Sequence, residues 1–285
     1  MSAGQIPTLF WRDWSTDWTI DALAALVVIA YVWRAGRVRR GWPLGRTLAF
    51  AAGVGCVVVA IQSGIDAYDD RLLSDHMVQH LLLLEVAPLL LLVGRPATLV
   101  LRSAAPARRP PLARAIRRTR PLTRPVWCLA FFYVVVIGTH LPWFFDRAVT
   151  HPLLHESEHG LFLAAGLAMW WPLHDEDPLP RRRLDGFARL AYIVIAMVPM
   201  AVIGAYLSRD PTLLYPVYAQ PARALGISAV ADQQQAGAIM WVFGTSLMVA
   251  AGLWQAMAAL EGEEQRLRSR ERLADARSDD LAGEP

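Results

Sequence analysis

Seven long apolar runs constrain this chain more than any other feature. They cover residues 18–33, 47–65, 75–92, 125–140, 152–173, 187–207 and 233–259. Each approaches the ~20 residues that an α-helix needs to cross a ~30 Å hydrocarbon layer. Lipid offers the backbone no hydrogen-bonding partner, so a run that crosses it must be helical. The pattern therefore predicts an all-α, polytopic bundle of seven transmembrane helices over residues 1–260, followed by a charged tail over 261–285. With 55% of its residues hydrophobic, the 285-residue chain suits a multi-pass protein. Several of its 11 tryptophans sit near run ends, as expected for membrane-interface belts.

Arginine placement predicts the orientation. All 28 basic residues are arginine, and 21 of them fall in the first, third and fifth connections and the tail. The opposite connections and the N-terminus carry only Arg12, Arg71, Arg147, Arg209 and Arg223. By the positive-inside rule, the N-terminus lies outside and the C-terminus in the cytoplasm. The third connection, from Arg102 to Arg124, is rich in proline and lacks interleaved aromatics, so it reads as a topology determinant touching anionic membrane lipid rather than as a nucleic-acid surface. The tail alternates acid and base and reads as a solvated helix. The first run follows Trp11, Trp14, Asp17 and Trp18 rather than a basic segment, which points to a retained helix and not a cleaved signal. Cys56 and Cys128 lie in separate apolar runs and form no metal clip, so they read as buried small residues.

The chemistry-bearing residues gather on one side. Six of seven histidines, His76, His80, His140, His151, His155 and His159, fall at the outer ends of the expected helices, and only His174 at a cytoplasmic end. His76 and His80 are separated by four residues, as are His155 and His159, so each pair shares a helix face and can converge on one ion. Glu158 shares the second face, while Glu156 points elsewhere. His151 precedes Pro152 and is expected before the helix, with its direction open.

Helix length sharpens this expectation. Between Gly160 and Trp171 the fifth run has 12 uninterrupted residues, well short of the bilayer at ~1.5 Å each. The polar turn with His155 and His159 must sink into the membrane, where polar groups face the bundle interior and are costly unless paired or metal-bound. The third run has the same shortfall and contains Glu85, readable as a proton carrier, a support for the site or a structural hydrogen-bonding group. An imidazole-rich site suits copper, zinc or iron. Met77 could add a thioether, although packing explains it as well. Asp232 with Gln235 fits a capping box at the last helix and also lies at the histidine level. Ser74 or Asp75 is the expected cap of the third helix. Asp66, Asp69 and Asp70 could help attract cations from outside, although a solvated loop explains them by default.

His155-Glu156-Ser157-Glu158-His159 meets the H-E-x-x-H pattern of zinc proteases, but at the start of a membrane helix and without a further ligand at the expected spacing. Three classes therefore stay open: a metal carrier, a membrane metalloenzyme using zinc or a binuclear site, and a haem protein.

Several segments together resemble the CtaG-type cytochrome c oxidase assembly factors: His76-Met77-Val78-Gln79-His80, Ala87-Pro88 through Gly94-Arg95-Pro96, His151 to His159, Trp170-Trp171-Pro172, and Asp232-Gln233-Gln234-Gln235 through Trp241. The resemblance covers about residues 47–260. It implies a seven-helix bacterial plasma-membrane protein that helps mature a haem–copper oxidase, through copper delivery to an oxidase subunit or another copper-handling protein. The ligand set expected here, His76, His80, His155 and His159 with His140 and His151 as additional candidates and Met77, Glu158, Glu85 and Asp232 as accessories, comes from the residues and not from the resemblance.

Overall fold

A computed structural model describes residues 13–39, 41–174, 184, 186–254, 257, 264 and 268. Arginines 181–183 and nearly all of the charged tail lie outside the described residues. Every regular element described is helical. Five helices are long and apolar enough to cross a membrane: Trp18–Gly36, Leu44–Tyr68, Leu73–Ser103, Gly186–Leu207 and Ala229–Trp254. The pair Pro125–Thr139 and Pro142–Thr150 meets the same standard jointly but is bent by 75°, giving up to six. The fifth expected span, Pro152–Trp170, is a continuous 19-residue helix that falls short of that standard. Its first turns carry His155, Glu156, Glu158 and His159, which lower its hydropathy below that of the others.

Local sequence explains the boundaries. α1 (Trp18–Gly36) opens on Asp17, which accepts hydrogen bonds from the Thr19 amide at 2.8 Å and the Thr19 hydroxyl at 2.6 Å. α2 (Leu44–Gln62) runs into the short α3 (Gly64–Tyr68), which Ser63 caps. α4 (Leu73–Leu81) passes into a π-helical turn, Leu82–Val86, and then into α5 (Ala87–Val93). Arg95, in the left-handed region at φ 55°, then redirects the chain into α6 (Pro96–Ser103). The basic connection forms α7 (Arg109–Thr119), whose prolines occupy the first turn where no amide is needed. α8 (Pro125–Thr139) and α9 (Pro142–Thr150) are separated at His140-Leu141, because Pro142 disfavours helix at the residue before it. α10 is Pro152–Trp170, α11 is Gly186–Leu207, and α12 is the short Ala219–Ala224. α13 (Ala229–Ala238) continues through a second π-helical turn, Ile239–Phe243.

The third span is the axis of the bundle. Most of it is buried, whereas α1 is largely exposed and packs, among the described residues, mainly on α2 and α6. α10 crosses the first π turn so closely that a Cβ on Gly166 would lie 2.1 Å from the Leu84 carbonyl oxygen. The start of α4 differs from the sequence expectation. Neither Ser74 nor Asp75 caps it; Asp232 of α13 does so across the bundle, accepting from the Leu73 amide at 2.6 Å and the Ser74 hydroxyl at 2.5 Å. The cap of α13 itself is Ser228 rather than Asp232. Both differences have one cause: the carboxylate is used between helices, which local spacing cannot reveal.

Gly166 supplies a direct test of this packing. Gly166→Ala should lower the thermal midpoint in detergent by an amount corresponding to about 1–3 kcal/mol of overpacking. Gly160→Ala, on the same helix with nothing within 4 Å of the added methyl, should leave it unchanged or slightly higher.

Candidate metal centre

The two i, i+4 histidine pairs meet where α4 faces α10. His76 and His80 are 4.0 Å apart between ring centroids, and His155 and His159 are 4.3 Å apart. His76 stacks on His155 at 5.1 Å with the planes 19° apart. One potential ligand atom from each of His76, His80, His155 and Glu158 falls within 4.8 Å of the others. Side-chain rotations of roughly an ångström would bring such a set to the ~2 Å bond lengths of an imidazole-bound ion. A second group, Asp69, His155 and His159, meets the same distance standard and shares His155 with the first.

Burial makes the inner group chemically demanding. His76, His80 and Glu158 are 0%, 3% and 2% exposed. None of the four ring nitrogens of His76 and His80, and neither carboxylate oxygen of Glu158, finds a hydrogen-bonding partner among the described residues. An unpaired buried polar group costs about 1–3 kcal/mol, so leaving these three side chains unpartnered is costly unless something binds them. The donor set, imidazole nitrogens with one carboxylate oxygen, fits copper or zinc.

The surroundings fix which nitrogens are available. Gln79 donates its amide to the Ala60 carbonyl at 2.9 Å and to Asp66 at 3.0 Å. Its oxygen, 2.9 Å from His159 Nε2, therefore accepts from that nitrogen, leaving His159 Nδ1 with a free lone pair. His140 donates Nδ1–H to the Val136 carbonyl at 2.7 Å, so its buried Nε2 carries the lone pair. Phe162 stacks on His80 at 4.0 Å, and Phe145 packs against His76 at 4.9 Å, closing the apolar side. The connection between α11 and α13 caps this end, as its Pro and Tyr content suggests. Tyr215 donates to the His140 carbonyl at 3.0 Å and Tyr218 to the Asp69 carbonyl at 2.7 Å.

The predicted residues divide clearly. His76, His80, His155, His159 and Glu158 come together. His140 stands beside them, 6.4 Å from His80 between ring centroids and outside both ligand groups. His151 remains apart; it is exposed, and its ring bonds the Arg147 carbonyl at 3.1 Å just before α10. Met77 lies in the apolar core, and Asp232 acts as the helix cap described above. Glu85 is fully buried in the first π turn, near Gly244 and away from the ligand groups. Glu156 is exposed, as its helical phase predicts. Asp69 corrects the sequence reading: it is 4% exposed, not solvated, with Oδ2 3.7 Å from His155 Nε2. Gln79 is a further member of the site that helix spacing alone does not reveal. The i, i+3 spacing of Asp66 and Asp69 and the position of Gln79, one residue before His80, were the available signals.

The profile of the cytochrome c oxidase caa3 assembly factors matches residues 29–261, most of the chain. The chain belongs to this family. Uncharacterized proteins of Mycobacterium bovis and Mycobacterium tuberculosis are each 32% identical to this family member over 273 residues, covering 90% of it. A Mycobacterium leprae protein is 32% identical over 278 residues. The chain spans only 41% of the length of these curated relatives. No solved structure matches it.

Asp69 gives the site a pH signature. Burial, reinforced by Asp66, pushes its carboxyl up to about 8. A raised acid pKa favours the protonated fold, so this group's contribution to stability falls as pH rises from the ordinary carboxylate range to about 8. The thermal midpoint of chelator-treated protein should therefore decline between pH 5 and pH 8 by more in the wild type than in Asp69→Asn. Parallel curves for the two proteins would contradict the assignment.

Proposed function

We propose that this family member is a multi-pass plasma-membrane protein that binds copper in its buried histidine cluster and hands it to a subunit of the oxidase it helps to assemble. The observation carrying this reading is the convergence of one potential ligand atom from each of His76, His80, His155 and Glu158, in a cluster where the polar atoms of His76, His80 and Glu158 lack protein partners. Membership of an oxidase assembly family supplies the recipient class, and copper is a metal that a haem–copper oxidase must acquire.

The topology we propose has seven crossings. The bent pair Pro125–Thr139 and Pro142–Thr150 supplies one and Pro152–Trp170 another. The polar start of Pro152–Trp170 is tolerated because it faces the bundle interior at the ligand cluster. Arginine bias then puts the N-terminus and the histidine cluster on the outer side and the C-terminus in the cytoplasm. That side suits delivery to an outward-facing oxidase site. His76, His80, His155 and Glu158 are the proposed resting ligands, with His159 and His140 beside them. The rings contact one another directly, which favours a single ion over a haem macrocycle.

The chemistry asked of the chain is capture, shielding and release. Imidazoles bind a copper ion without covalent change, the apolar wall of Phe145 and Phe162 excludes water, and a shallow location near one membrane face permits handover. Detergent-purified protein should bind about one copper per chain, and His76→Ala or His80→Ala should weaken binding by about 10²-fold while leaving the helical content intact. Cells carrying either variant should accumulate oxidase lacking copper. Wild-type protein that stays copper-free when supplied with the ion, with its fold intact, would contradict the proposal.

A further inference from the structure

The two ligand groups differ in access but share one residue. The inner group, His76, His80, His155 and Glu158, is buried apart from His155. The outer group, Asp69, His155 and His159, opens on a cleft of about 770 Å³ between α2, α3 and α10. Asp17, Asp66, Asp70 and Glu156 line that cleft. Acidic walls raise the local concentration of cations and speed their capture.

His155 is the hinge between the groups. Its ring stacks on His76 on one side, and its Nε2 lies 3.7 Å from Asp69 Oδ2 on the other. A neutral imidazole has one nitrogen lone pair, so His155 cannot serve an ion in each group at once. The outer group is also organised for its task. Gln79 presents the His159 Nδ1 lone pair, and Tyr218 holds the Asp69 backbone. Tyr218 and Phe145 stand against His76 from the capped side, leaving the cleft past His155 as the open approach.

We propose that Asp69, His155 and His159 form a loading seat for a cation arriving from the acidic cleft, and that His155 passes the same cation inward to His76, His80 and Glu158. This inference rests on the metal-binding reading above. The transfer is a ligand exchange: bonds from the ion to Asp69 and His159 break as bonds to His76, His80 and Glu158 form. The ion keeps its oxidation state and no group is transferred. A single deep seat would require an ion to lose its whole hydration shell before meeting any inner ligand, whereas two seats sharing His155 replace it in stages.

Kinetics separate the seats. Aqueous cupric ion mixed with the full chain in detergent reports uptake by the growth of imidazole-to-copper charge-transfer absorbance, and excess chelator reports release. Asp69→Asn should slow uptake at least ~10-fold with the wild-type final stoichiometry. Glu158→Gln should take up copper at close to the wild-type rate and release it ~10-fold faster or more. If Asp69→Asn does not give folded protein, His159→Gln carries the same expectation. Wild-type uptake rates in the outer-seat variant, or a lowered final stoichiometry, would overturn the relay while leaving the copper reading intact. A wild-type protein that takes up no copper would overturn both.

Discussion

The whole arrangement depends on burying two polar helix turns against each other inside an apolar bundle. α4 and α10 bring imidazoles and a carboxylate into contact at a depth where water cannot satisfy them. Such groups are tolerated inside a membrane bundle when they pair, bind an ion or carry out a function. Here the neighbours supply almost no pairing for His76, His80 and Glu158. The protein instead spends its polar contacts on holding the ligands in place. Asp232 fixes the start of α4, Gln79 fixes His159, and the Val136 carbonyl fixes His140. This division, with supporting residues satisfied and central ones left open, is the one that the proposed binding site requires.

The scaffold is built for close approach at the same place. Gly166 lets α10 lie against the carbonyl of Leu84, and the π turn at Leu82–Val86 follows directly below His80. A π turn adds a residue to the helical repeat and shifts the face that follows. The apolar residues below the turn can therefore face the bundle while the histidines above it face α10. The same device recurs at Ile239–Phe243 in the helix whose Asp232 caps α4. Glu85 lies in the first of these turns, buried near Gly244 and outside both groups of potential ligands.

Much of this was legible in the sequence, for reasons that are local. Helix periodicity put His76 with His80, and His155 with Glu158 and His159, on shared faces. The shortness of the apolar stretches after them predicted that these turns would be buried. Histidine count at one end of the chain's spans predicted convergence. What the sequence hid depends on tertiary contacts. Asp232 reads as a cap for its own helix but caps another. Asp69 reads as a loop residue because the loop that buries it, through Tyr218, is 149 residues away. Pro152 marks His151 as lying before the helix, but only the structure shows that its ring turns to the Arg147 carbonyl and solvent while His155 joins the cluster. The bend after Thr139 is written in Pro142, although the apolar run through His140 suggests a single straight span.

The central claim is that an ion sits among imidazoles at the meeting of α4 and α10. X-ray absorption spectroscopy of the copper-loaded protein addresses this most directly. The expected spectrum has nitrogen and oxygen neighbours only, with the outer scattering of about three imidazoles, and loses one imidazole contribution in His76→Ala. A sulfur shell from Met77 or a cysteine, or a spectrum unchanged by His76→Ala, would contradict it.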